Sequence, residues 1–563
     1  MNRLSTQLCV SIAAGILLLA ACISHPSTGT VAATASGLPQ DADSICGISS
    51  DSFNAWFRSG QPTEDGAVTP ANSVAFPHND NCDFYQWAER MFLWITSPDT
   101  SGGKERPRVL ESPIFYTVVP RGDTDYLQAH HPGEPLEAVS VLHKTGPNRL
   151  PVYTDHKGHL YEVLFHPPTE TLRIQNGKAI IKPTSFSHPE QIVHAFRTSA
   201  GMKFFFYDGS AVTSALDQAT GDALMAQTRS LVYYITFVND MYAYYRTMVS
   251  VDHITNDTFP TTAKERDEIV RFAASMRYPA PVRPDALTME LKTSWVEADS
   301  LPGGADKYIT IKAWVTKYTF YGDTLRIPNG RRLTKLALVG IHIVGSAAHH
   351  PEMIWATFEH IHNTPDSTYR YEDSMKSSKT VIMNSSADWL FSARGGAPFN
   401  ISHIKDSLGY DTLQRVYPYT ISPSNTLREF PFGAIYGQKP NAQDTTDAQS
   451  NAEIIYINNS VINKIPGNDV RKNYHLIGAT WTSGGAAPSG IVYHLDSTTR
   501  DTAAGVSIGT SALANSTMET YFQATANSCF SCHSTCKDLQ CQLAPEAISH
   551  IFGNMRPLYI VPK

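Results

Sequence analysis

Apolar positions set a helical rhythm first. In Asp83–Ile95, Phe84, Trp87, Met91 and Trp94 recur three and four residues apart, with Asp83 as the expected N-cap. A shorter helix is expected within residues 46–60. Past Pro98 the rhythm shortens to that of strands. Ile114–Val119 is a short apolar run, Leu172–Ile181 alternates around Asn176-Gly177 as a hairpin, and Lys203–Tyr207 adds another strand. Helical spacing returns over Ala211–Thr228 and over Leu231–Met248, where Tyr234, Phe237, Met241, Tyr244 and Tyr245 share a side. Thr262–Met276 is amphipathic, with Glu265, Asp267 and Glu268 near its positive end.

From Thr288 the chain reads as strands again: Met289–Val296, Tyr308–Tyr321, Leu325–Leu333 with a turn at Asn329-Gly330, Lys335–Val344, and Met353–Ile361 after a turn over Gly345–Pro351. Residues 363–450, apart from a few short segments, read as irregular covering loops. Ile454–Ile457 and His475–Trp481 are late strands, and Ala512–Thr525 is a helix. The sum is an α+β fold, a large β-rich body with several helices, and no repeat of fixed period.

The first residues lie outside that pattern. Arg3 precedes a short apolar run, Val10–Leu19, and the segment ends Leu19-Ala20-Ala21-Cys22. This looks like a lipoprotein signal over residues 1–22, with Cys22 lipidated; a plain signal cut near Ala21 and an uncleaved anchor are the alternatives. Residues 23–45, rich in Ser, Thr, Ala and Gly, follow as a flexible tether. The body then occupies residues 46–511, with a possible subdivision near residue 280, and the C-terminal segment residues 512–563.

Composition narrows the partners. A net charge of −7 with no basic tract excludes nucleic acid as the main partner. Of eight cysteines, Cys9 falls in the signal and Cys22 takes lipid. Cys529 and Cys532 stand three apart in Cys529-Phe530-Ser531-Cys532-His533. A bare pair at that spacing suits a redox dithiol or half a zinc site. The adjoining histidine turns the reading to one covalent haem c, with His533 as proximal ligand. Export agrees, because c-type haem is attached in bacteria outside the cytoplasm. The remaining Cys46, Cys82, Cys536 and Cys541 are expected to pair as Cys46–Cys82 and Cys536–Cys541.

Only 35 residues run from Cys529 to Lys563, too few to wrap a haem unaided, so the segment is expected to dock on the body. His550 and Met555 are the candidate distal ligands. A second histidine group, His342, His360 and His362 with His349 nearby, is a candidate metal site, because alternate strand residues share a face. Asp240 is read as a solvated or hydrogen-bonded surface residue. No nucleophile elbow, phosphate loop or zinc-protease signature occurs.

Five stretches, CDFYQWAERMFLWITSP from Cys82, GIHIV from Gly340, WATFEH from Trp355, YHLIGATW from Tyr474 and LANSTMETYFQATANSCFSCH from Leu513, resemble those of bacterial exported proteins labelled "cytochrome c family protein". The resemblance implies one covalent haem with His533 as its proximal ligand, and it supplies no substrate; Cys536 and Cys541 depart from it. The expected function is a lipid-anchored cytochrome facing the periplasm, with the outer membrane favoured, passing electrons to a redox partner protein. A haem oxidoreductase acting on a small molecule, and a binding module with a structural or sensing haem, are the competing readings.

Overall fold

The computed structural model describes residues 37–558 apart from internal stretches, the longest at 100–106, 165–173, 180–191, 208–222, 434–445, 490–503, 524–528 and 535–541. The signal, Cys22, Cys536 and Cys541 lie outside the described residues. The fold is α+β, organised on one large antiparallel sheet.

Eight strands form its spine. They are β1 (Phe115–Arg121), β2 (Thr124–Ala129), β3 (Tyr233–Asn239), β4 (Met289–Glu297), β6 (Leu325–Ala347), β7 (His350–His360), β8 (Tyr474–Thr482) and β9 (Ser507–Gly509), in the order β2-β1-β3-β4-β6-β7-β8-β9. A further strand, β5 (Thr310–Tyr321), pairs with the first half of β6. The 23-residue β6 thus serves two partners, β5 along Leu325–Ala337 and β4 along Leu336–Gly345. It continues past Asn329-Gly330, where a turn was expected, and the pair of residues is a bulge: the register with β5 shifts between Thr316–Arg331 and Tyr318–Pro328. The second expected turn also shrinks, with His349 at φ +65° between β6 and β7.

Helix α1 (Asn81–Ile95) lies on this sheet. Its N-cap is Asp80, accepting from the Asp83 amide, so it starts earlier than the apolar spacing indicated. Phe92 stacks on Phe358 at 4.4 Å and Phe84 on Trp481 at 3.7 Å. Gly345 makes room for the Trp87 ring, which a Cβ there would meet at 3.0 Å. The Cys46–Cys82 disulfide ties α1 to the residues before it, as expected.

The sequence reading misplaced several elements. The stretch expected as a helix from Leu231 is strand β3, buried along its whole length. Its continuous aromatic and β-branched run suits a central strand, and its three- and four-residue spacings mimic a helix. The helix, α2 (Asp240–Asp252), begins only after Asn239, whose side chain accepts from the Tyr242 amide. Helix α3 (Ala263–Ser275) matches expectation and carries a Thr262–Glu265 capping box. The expected strand Ile454–Ile457 is one turn inside α4 (Asp447–Ile462), a helix buried on nearly every side. The expected helix over Ala512–Thr525 is a string of turns with one short 3-10 turn, Thr520–Phe522. The described part of Ala211–Thr228, residues 223–228, is not helical, and the loop stretch 363–450 contains the hairpin Tyr369–Glu372 with Ser378–Val381.

Two boundaries move as well. Residues 37–45 are part of the body: Leu38 and Ala42 are buried, the Pro39 carbonyl accepts from Asn459, and further on the Ile48 amide donates to Ser460. The sheet also passes through the proposed division near residue 280, because β3 pairs with β4 along Val238–Tyr233.

Asp240 is buried, not solvated. Its carboxylate accepts from the Met241 and Val282 amides, yet burial pushes its pKa up to about 7. The folded state therefore holds a proton that the unfolded chain releases near pH 4, so stability is full below that pH and falls as pH rises toward 7. Asp240→Asn should flatten this decline, worth on the order of 2–4 kcal/mol, in urea unfolding run at pH 5 and pH 8. Replacing both Cys46 and Cys82 by Ala should cost about 3–4 kcal/mol, read as a lowered denaturant midpoint, since 36 residues separate the pair.

Candidate haem-attachment site

Cys529–Cys532 forms a single helical turn, and the His533 amide closes it by donating to the Cys529 carbonyl. Residues three apart on such a turn share a face, so the spacing offers two thiols to one side. Neither thiol is in a disulfide; Cys529 is half-buried and Cys532 exposed. Burial, reinforced by the Glu519 carboxylate, raises the pKa of both thiols and keeps them protonated.

His533 is oriented by the backbone. Its Nδ1 lies 2.8 Å from the Ile548 carbonyl, which can only accept, so Nδ1 carries the proton and Nε2 keeps its lone pair. A ligating imidazole is commonly held this way. The short helix Pro545–Ile548 positions that carbonyl, and the Trp355 ring of β7 sits 4.3 Å from the imidazole. Phe530, fully buried, packs edge-on against the same Trp355. Burial and neighbouring His550 lower the His533 pKa well below the ordinary range, which keeps the ring neutral and leaves the Nε2 lone pair unprotonated.

The candidate distal ligands fare differently. His550 stacks on His533 with ring centres 4.0 Å apart and planes 15° from parallel, and its Nε2 donates to the Cys532 carbonyl. His550 as arranged packs beside the His533 ring. Met555 is buried in the apolar cluster that also holds Phe530 and Trp355, on backbone bridged to Asp125 of β2.

The segment leading to the motif is fastened side chain by side chain. Gly340 lets it lie flat on the sheet, because a Cβ there would meet Thr517 at 2.6 Å and Asn515 at 2.9 Å. The Ser516 amide donates to Glu359 at 2.7 Å, and the Thr517 amide to the Asn515 side chain. These local bonds use the amides that a helix would need, which is why the expected helix does not form. Glu519 pairs with His342 at 2.9 Å; burial would raise its pKa, but His342 brings it down.

The second histidine group does not converge. His342 lies opposite Thr357 and faces Glu519, whereas His360 projects to the other side of the sheet and stacks on Tyr308 at 3.8 Å. Strand β7 ends at His360, so His362 lies in the turn beyond it, with ring centres 5.5 Å apart. His349 approaches His78 instead, at 5.0 Å. Among the described residues no three His, Cys, Asp or Glu side chains are grouped to hold a metal.

The residues at the motif fit a covalently attached haem c: two unbonded thiols on one turn and an imidazole with its outer nitrogen open. Trp355 and Glu519 fell inside stretches singled out in the sequence, but the Ile548 carbonyl is backbone and left no signal there. No protein family, no curated protein and no solved structure matches the chain.

Glu359 is fully buried and joins the site to the body, since it also receives Arg428 at 2.8 Å. Glu359→Ala should destabilise the protein by about 3–5 kcal/mol, because Arg428 is left buried without its main counter-charge. Adding Arg428→Met to that variant should restore part of the loss in urea unfolding.

Proposed function

We propose that the protein is an exported, lipid-anchored cytochrome carrying one covalent haem c and passing electrons between partner proteins. The observation that carries this reading is the fixed His533 imidazole, held by Ile548 beside two free thiols. When bound, the haem supplies a one-electron couple. The chain's own residues would then hold and tune it: Cys529 and Cys532 take the vinyl groups, His533 offers Nε2, and Trp355 and Phe530 shield the inner side from water. The exposed Cys532 supports a carrier, since it leaves the attachment edge near the surface, within reach of a redox partner. The resemblance to exported cytochrome c family proteins and the Leu19–Cys22 ending support export and anchoring.

The purified protein should show one haem per chain that survives acid–acetone extraction, and Cys529→Ser with Cys532→Ser should abolish its covalent retention. Its oxidised spectrum should be low-spin and its reduced form indifferent to carbon monoxide, with Met555→Ala opening the site. A high-spin iron that binds carbon monoxide would overturn the carrier in favour of an oxidoreductase.

A further inference from the structure

Away from the motif, the end of β7 opens onto a cavity of about 230 Å³. His360, His362, His475, Tyr369, Arg428 and Trp389 are among its walls. From these walls we infer a binding site for an uncharged, polyhydroxylated ring, a neutral monosaccharide or a ligand of the same shape and hydroxyl pattern.

The charges decide against an ion. Arg428 is the cavity's lining cation, and it is already engaged by Glu359 at 2.8 Å and by Asp366. An anion would have to displace one of those carboxylates from a nearly inaccessible guanidinium. A cation fares no better, since the wall carboxylates Glu359 and Asp366 are engaged by Arg428, Asp388 is paired with Arg394 at 2.5 Å, and the imidazoles do not attract it. Burial lowers the pKa of His360, His362 and His475, the last to about 3, and Lys307 or Arg428 lowers each further. The three rings are neutral at pH 7 and feel positive charge behind them. A metal is disfavoured too, since no ligand set of three is grouped here.

What remains suits hydroxyl groups. A neutral imidazole offers one donor and one acceptor, the pairing a sugar hydroxyl needs. The Tyr369 hydroxyl, on a side chain 2% exposed, has no hydrogen-bond partner among the described residues. A buried hydroxyl without a partner is costly; it has almost no exposed surface as the wall stands, so a ligand hydroxyl relieves that cost by shifting the wall enough to reach it. Trp389, its Nε1 donating to the Asn384 carbonyl, gives the cavity an aromatic wall for the C–H face of a ring, with Ile382 at 60% exposure beside it. The volume lies below the range of drug-sized pockets, which limits the occupant to about one ring.

The test needs no assumption about haem. The purified full chain, with whatever cofactor it carries, is titrated by calorimetry and tryptophan fluorescence with D-glucose, D-galactose and N-acetyl-D-glucosamine. Inorganic phosphate and zinc serve as charged comparators. At least one sugar should bind in the millimolar range or tighter, and Tyr369→Phe and Trp389→Ala should each weaken it about tenfold or more. Tyr369→Phe removes an unpartnered hydroxyl, so its melting temperature should equal or exceed the parent's, and weaker binding then cannot come from misfolding. The inference falls if none of the sugars binds, if either variant binds as the parent does, or if His362→Ala abolishes stoichiometric zinc or phosphate binding.

Discussion

A single buried carboxylate holds the working parts of this molecule together. Glu359, one residue from the end of β7, accepts from the Ser516 amide and hydroxyl, from Arg428 and from the Asn363 amide nitrogen. A charge with no exposed surface is tolerable only when nearly all its lone pairs are used. Satisfying Glu359 therefore fixes three separate pieces of chain: the approach to the haem motif, the arginine loop, and the turn carrying His362. The same residue closes one side of the cavity, so the two candidate sites share a support without sharing a ligand.

Around the motif, control falls to groups that donate or accept from the backbone. The Ile548 carbonyl selects the His533 tautomer, the Cys532 carbonyl holds His550, and the Cys529 carbonyl closes the turn. Trp355 adds shape and excludes water. Such a site depends on the path of the chain, and that path depends on the sheet beneath it. This is how the Cys529–His533 turn is held in place.

The Cys529–His533 motif was plain in the sequence, because its five residues are contiguous. The capped helices at Asn81 and Ala263 and the strands from Met289 to His360 were legible too, each carrying its period over enough residues. What failed was local and ambiguous. Ile454–Ile457 is apolar throughout and Tyr233–Val238 is so but for Thr236, so neither period shows, and a buried strand and a buried helix look alike. Residues 512–525 misled for another reason: Asn515, Ser516 and Thr517 spend their hydrogen bonds on side chains distant in sequence. His475, Tyr369 and Arg428 left no trace as a group, since they come together only through tertiary folding and no spacing records that.

The clasp between the first and last thirds of the chain bears on the timing of folding. Pro39 and Ile48 find their partners in Asn459 and Ser460, 420 and 412 residues further on. A ribosome delivers the earlier pair long before the later one exists. The opening segment must therefore wait, its buried-to-be polar groups bonded to water, until nearly the whole body has been made. Closing loops of that length is slow in proportion to what must be ordered first. A chain so arranged is still unfinished while most of it has already been synthesised.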